Sequence, residues 1–174
     1  MKKLLLSASM LMLAGASAFA VTGIKCENLW VFDRQHTEDA YKANPIAATS
    51  ARTATTDGTT VYVGLSGETA TIEKFDLKTG AYLGSLALTK GGEAFKGTLA
   101  VNQVGFDEYG HFYAATFSAN SKGDGQYEVY TVDLTTGAVT SVGDLFFDGG
   151  TGRIDYCDVI GDITGVEANA TVMA

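Results

Sequence analysis

Phe75-Asp76-Leu77-Lys78-Thr79-Gly80-Ala81 is matched, 57 positions later, by Val132-Asp133-Leu134-Thr135-Thr136-Gly137-Ala138. The shared Asp-Leu-x-Thr-Gly core has a local reason to recur as a tight turn. Asp and Thr side chains bond the turn backbone, and Gly takes a positive φ without a Cβ clash. Upstream of each copy lies a second matched pair. Asp57-Gly58 precedes Val61-Tyr62-Val63-Gly64, Tyr109-Gly110 precedes Phe112-Tyr113-Ala114-Ala115, and Tyr62 and Tyr113 are 51 positions apart. The difference of six residues falls in the polar stretch from Ser118 to Gly125, a longer loop in the second copy. Each copy therefore reads as strand, Gly turn, strand, loop, strand ending in Asp-Leu-x-Thr-Gly, strand. That is a four-stranded antiparallel unit.

The remaining sequence agrees with this. Segments between turn signals are rich in the strand formers Val, Tyr, Phe, Thr and Ile, and 21 Gly with the single Pro45 call for many turns. No stretch beyond the first 20 or so residues holds a helical apolar period. The fold class is all-β. A repeat of about 40–50 residues holding four short strands has the make-up of one β-propeller blade, a β-sandwich being the alternative.

Thr60-Val61-Tyr62-Val63 with Ile72-Glu73-Lys74-Phe75-Asp76-Leu77-Lys78-Thr79-Gly80, and their second copies, resemble blades of the YVTN-type and quinoprotein-like β-propellers of exported bacterial proteins, over roughly residues 50–145. Blades are expected at about 46–88 and 98–143. A partial one is expected at about 153–174, with an inner strand in Asp155 to Ile160 and the next in Ala170-Thr171-Val172-Met173. An isolated outer strand is expected at about 28–34, in Asn28-Leu29-Trp30-Val31-Phe32-Asp33. The resemblance implies that such a strand completes the last blade of a ring. Closure takes at least about four blades, so the expectation is an N-terminal fragment whose missing blades follow, or an open array with an edge-pairing partner.

The first 20 residues carry the layout of a cleavable signal peptide: Lys2 and Lys3, an apolar run from Leu4 to Leu13, then Ala18-Phe19-Ala20. The run is too short for the roughly 20 residues of a bilayer-spanning helix. Leu13-Ala14-Gly15-Ala16 is followed by Ser17 rather than the Cys that lipid attachment needs. The chain is thus expected to be exported, to periplasm, cell surface or medium, with residues 21–174 as the mature protein. Removing the signal leaves 10 basic against 20 acidic residues, a net charge of −10. Such a field repels polyanions, and Lys90, Lys96, Lys122 and Arg153 are too scattered to form a basic stripe, so nucleic acid is not expected as a partner. Cys26 and Cys157 would meet a compartment where disulfides form, and both a bridge and two separate thiols stay open.

In a four-stranded antiparallel unit the turns alternate between two ends. The short turns at Asp57-Gly58, Lys78-Thr79-Gly80, Tyr109-Gly110 and Thr135-Thr136-Gly137 share one end. The opposite end collects Ser66 to Thr69, Thr89 to Thr98, Ser118 to Gln126 and Asp144 to Gly152. Loops on a rigid scaffold are where binding groups lie, so this end is the expected interaction face. Its candidate ligand-binding residues are Lys90, Phe95, Asn120, Asp124, Phe147, Asp148 and Arg153, a mixture of aromatic and polar groups suited to a sugar or peptide.

Catalytic signals are thin. Pairs such as Asp155 and Asp158 carry little information among 20 carboxylates. His36 and His111 lack metal-ligand spacing with each other or with the cysteines, and His111, after a Gly turn, reads as a solvated turn residue. Gly64-Leu65-Ser66-Gly67 lacks the closing Gly of a nucleophile elbow. Asn120, Lys122 and Asp124 imitate the start of a calcium loop, but a lysine stands where a ligand oxygen is needed. The resulting expectation is a non-catalytic exported module, without cofactor or metal, that binds an extracellular carbohydrate or peptide. The alternatives are part of a glycan-processing hydrolase or lyase propeller and a structural repeat of the cell surface.

Overall fold

The structure, a computed structural model, describes residues 29, 51–96, 100–116, 118–119, 126–146, 153–154, 156–167 and 169–173. The signal-like segment, Cys26, all but Leu29 of the expected outer strand, Asn120, Asp124, Phe147 and Asp148 lie outside the described residues.

Fourteen strands follow one another in the described chain. They are β1 (Ala51–Thr56), β2 (Thr60–Leu65), β3 (Thr71–Asp76), β4 (Tyr82–Ala87), β5 (Thr89–Lys90), β6 (Glu93–Ala94), β7 (Gln103–Phe106) and β8 (Phe112–Ala115), then β9 (Ser118–Ala119), β10 (Gln126–Val132), β11 (Val139–Phe146), β12 (Arg153–Ile154), β13 (Asp158–Ile160) and β14 (Thr171–Met173). The protein is all-β, with no helix among the described residues, and hence none long and apolar enough to cross a membrane. Two four-stranded antiparallel sheets are built in sequence order, β1-β2-β3-β4 and β7-β8-β10-β11, as the internal repeat requires. The smaller pairs are β5-β6, β9-β12 and β13-β14.

The two Asp-Leu-x-Thr-Gly turns close in the same way. Asp76 Oδ1 accepts the Lys78 and Thr79 amides at 3.0 and 2.8 Å, and Asp133 Oδ1 accepts those of Thr135 and Thr136 at 2.7 and 3.2 Å. Gly80 and Gly137 take φ of 71° and 77°, and each amide donates to the carbonyl of its turn's aspartate, at 2.9 and 2.8 Å. Gly137 has a second role. A Cβ there would stand 2.0 Å from the Ala87 carbonyl oxygen, because the end of β4 runs over this turn and Thr89 donates to the Gly137 carbonyl at 2.9 Å.

The expected long connections differ in three places. Thr89 meets Gly137, in a turn expected at the opposite end, because β4 ends over it. Ser118 to Gln126 contains β9 and the first residue of β10, and two others hold strand as well. Thr89 to Thr98 contains the β5-β6 hairpin, turned at Gly91-Gly92, and Asp144 to Phe146 completes β11. Gly-Gly between two short extended pieces is a hairpin signal. Residues 144–146 continue the ladder because Gln126–Glu128 of the long β10 still face them.

The two sheets stack, with β1 beside β7 and the Val104 amide donating to Thr53 Oγ1 at 3.1 Å. Between them lies the larger core. Tyr62 and Ile72 come from the first sheet, Val104, Phe112, Ala114 and Tyr130 from the second, and Leu88, Phe95 and Val101 from the crossing segment. Tyr130 is fully buried, its ring meets Phe95 edge-on at 4.9 Å, and its hydroxyl donates to the Ala100 carbonyl at 2.5 Å. Ser66 is buried as well, its Oγ donating to the Val101 carbonyl and accepting the Val101 amide.

Because successive side chains of a strand point to opposite faces, Tyr113, Ala115 and Val129 line the other face of the second sheet. There they pack on Cys157, Val159 and Ile163. The second sheet thus has apolar packing on both faces, against the first sheet on one side and the β13-β14 unit on the other.

Candidate polar junction at the turn end

Each unit places an aspartate immediately after its first strand: Asp57 after β1, Asp107 after β7, and Asp162 one residue beyond Gly161 after β13. In the first unit Asp57 Oδ1 accepts the Thr59 and Thr60 amides at 2.8 and 2.7 Å, and its Oδ2 accepts the Tyr62 hydroxyl at 2.8 Å. In the second, Asp107 Oδ1 accepts the Tyr109 and His111 amides at 2.9 and 2.8 Å. Its Oδ2 reaches into the third unit and accepts the Ile163 amide at 2.9 Å. Asp162 Oδ1 accepts the Thr164 amide and hydroxyl at 2.8 and 2.6 Å, and Oδ2 accepts the Glu167 amide at 2.6 Å.

His111 joins the last two aspartates. Its Nδ1 hydrogen-bonds Asp107 Oδ2 at 2.9 Å and lies 3.1 Å from Asp162 Oδ1, so that one ring nitrogen faces two carboxylates. Both carboxylates are wholly shielded from solvent, whereas the His111 side chain keeps 38 % of its surface exposed. The ring also lines an open groove of about 330 Å³ with Gly110, Phe112, Thr131, Val132, Asp133, Leu134 and Thr164. Two further contacts tighten the junction. Glu108 Oε2 accepts the Gly161 amide at 3.1 Å, and the Gln103 side-chain amide clasps the Cys157 backbone, accepting from its N–H at 2.6 Å and donating to its carbonyl.

The electrostatics follow from this wiring. Burial opposes ionisation of Asp107, yet the Ile163 and His111 amides and the His111 ring outweigh it and hold the carboxyl below the usual range. For Asp162, burial is likewise outweighed, by the Glu167 amide and the Thr164 hydroxyl and amide, with His111 adding to them. His111 is raised above the ordinary imidazole value, chiefly by its hydrogen bond to Asp107. Burial opposes this, and the charges of Asp107, Asp162 and Glu167 reinforce it.

His111 Nδ1 and one oxygen from each aspartate lie within 4.8 Å of one another, a spacing a divalent cation would accept. These atoms are already engaged, however: three backbone amides converge on Asp107, and two amides and a hydroxyl on Asp162. The cluster is a closed hydrogen-bonded tie between units.

Comparison with protein-family models, curated proteins and solved structures returned no match. Of the residues expected to bind ligand, the structure brings Lys90 and Phe95 together, the ammonium 5.9 Å from the ring centroid. Phe95 is a core residue, only 9 % exposed, and Lys90 pairs with Glu128 of β10. Arg153 contributes its backbone to β12, opposite Ala119.

The junction escaped sequence reading. His111 is half-exposed, as a turn residue would be, but its Nδ1 is directed inward by partners at positions 107 and 162. The available signal was the third appearance of an aspartate after a first strand, with Thr164-Gly165 behind it.

Proposed function

We propose that this chain is an exported, non-catalytic binding module of the β-propeller type, similar to YVTN and quinoprotein-like blades, which recognises an extracellular carbohydrate or peptide through the end where its longer connections collect. The observation that carries this reading is the arrangement of the second sheet. A four-stranded meander in sequence order is covered on both faces by units that repeat its first-strand turn, which is how blades stack around a ring. A closed ring takes at least about four blades. On this reading the described units work with further blades, or with a partner that pairs at a sheet edge.

The division of labour between the two ends favours the long-connection face. At the short-turn end, Asp57, Asp76, Asp107, Asp133 and Asp162 all accept amides of their own turns. Lys90 stands 45 % exposed above Phe95 and beside Glu128, next to Thr89, whose amide reaches the Gly137 carbonyl of the second repeat's turn. Asn120, Asp124, Phe147, Asp148 and Arg153 belong to the same set of connections on this reading.

The experiment is a glycan array and a peptide-library pull-down with the full chain, repeated with an Asn120→Ala/Asp124→Ala double variant and with Asp133→Asn at the opposite end. Binding that falls in the double variant and survives Asp133→Asn supports the proposal. Blank screens, or binding that only Asp133→Asn removes, overturn it.

A further inference from the structure

The first-strand turn occurs three times with the same aspartate but not the same partner, and that difference is chemically pointed. Asp57 is met by a phenol, Tyr62, whose ionisation is pushed up by burial and then by Asp57 itself, so this contact does not change state near neutral pH. Asp107 and Asp162 are met by an imidazole, the side chain that changes charge closest to neutrality. The imidazole also sits on a boundary. Asp107 belongs to the second unit and Asp162 to the third, and the Ile163 amide that completes the junction belongs to the small core beneath β13 and β14.

We infer that His111 is a pH-responsive latch: protonated, it holds the turn at 161–167 against the second sheet, and neutral, it lets the β13-β14 unit loosen from Tyr113, Ala115 and Val129.

Among the described residues, the charged groups around the ring are acidic. Asp107 and Glu108 come from its own turn, Asp162 and Glu167 from the third unit, and Asp133 from across the groove. Protonated His111 places one positive charge between two shielded carboxylates. The neutral ring still donates from Nδ1 but leaves those carboxylates facing each other uncompensated, which a poorly solvated site penalises.

The sign follows. A histidine whose folded pKa lies above its unfolded value contributes stability that is fully present below the unfolded value and is lost as pH rises through the folded one. Asp107 and Asp162 are held below the usual carboxylate range, so they stay ionised from pH ~5.5 to ~8.5 and add no slope there. What loosening would expose is apolar: Cys157, Val159 and Ile163 are all buried at this interface.

Amide hydrogen exchange on the full chain, corrected for intrinsic rates and with a chelator present, tests the latch at the two ends of that pH range. The readout is the protection of the Gly161, Ile163 and Glu167 amides relative to those of β7 and β8 in the same molecule. The wild-type ratio should fall roughly two- to fivefold between the acid and alkaline ends, the size of one partly screened ion pair. In His111→Gln, which keeps a donor and loses the titration, the ratio should not change with pH. If that variant folds poorly, the wild-type imidazole signals by NMR should titrate in step with the Ile163 amide shift. A flat wild-type ratio, an equal slope in His111→Gln, or an imidazole titration with no movement of Ile163 overturns the latch.

Discussion

The two faces of the second sheet are held by different means. Toward the first sheet the contact is broad and apolar, with Tyr62, Ile72, Phe112 and Tyr130 fully or nearly fully buried and aromatic rings meeting at 4.9–5.5 Å. Toward β13 and β14 the apolar cluster is small, and directional groups do much of the positioning: the Gln103 clasp on Cys157 and the Asp107-His111-Asp162 tie. Burial scales with area and tolerates some sliding, whereas a hydrogen bond between shielded groups tolerates little and is costly to leave unmade. A broad interface is set by packing, and a narrow one gains its register from polar partners.

That contrast breaks most visibly at Tyr130. Tyr130→Ala should cost about 3–5 kcal/mol in urea unfolding, since it removes a large core side chain and leaves the Ala100 carbonyl without its hydroxyl donor. Both sheets should lose exchange protection together. Gln103→Ala acts on the narrow face. Removing the two hydrogen bonds that Gln103 makes to the buried Cys157 backbone should cost about 1–3 kcal/mol, and the loss should appear as faster exchange in β13 and β14 while β7 and β8 keep their protection. The smallest effect is expected at Lys90, outside both cores. Lys90→Ala should shift global stability by less than about 1 kcal/mol, because its partner Glu128 sits at a partly exposed rim. A loss above 2 kcal/mol would show that the β5-β6 hairpin is part of the main core.

The parts of this fold that sequence could show are those fixed within a few residues. Asp76 and Asp133 bond amides two and three positions ahead, so their motif carries its own explanation and reveals the repeat. Tyr62 and Tyr113 sit in matched strands and mark the same register in both copies. Long-range features stayed hidden. Nothing near Phe95 says that its ring meets Tyr130, and nothing near His111 announces Asp162, since that contact exists only once the third unit has docked. Gly137 is a mixed case. Its turn conformation is written in the motif, but the approach of Ala87 to 2.0 Å from its missing Cβ depends on how β4 ends.

In the central strand β8, Phe112, Tyr113, Ala114 and Ala115 are all buried, the even positions toward one neighbour and the odd toward the other. A strand engaged on both sides offers mutation no neutral position, so inheritable variation is channelled into the lengths and compositions of the connections. The two repeats already differ in this way, with matched strands and a connection longer by six residues in the second. Diversification of such an array proceeds at its rims while its walls stay fixed.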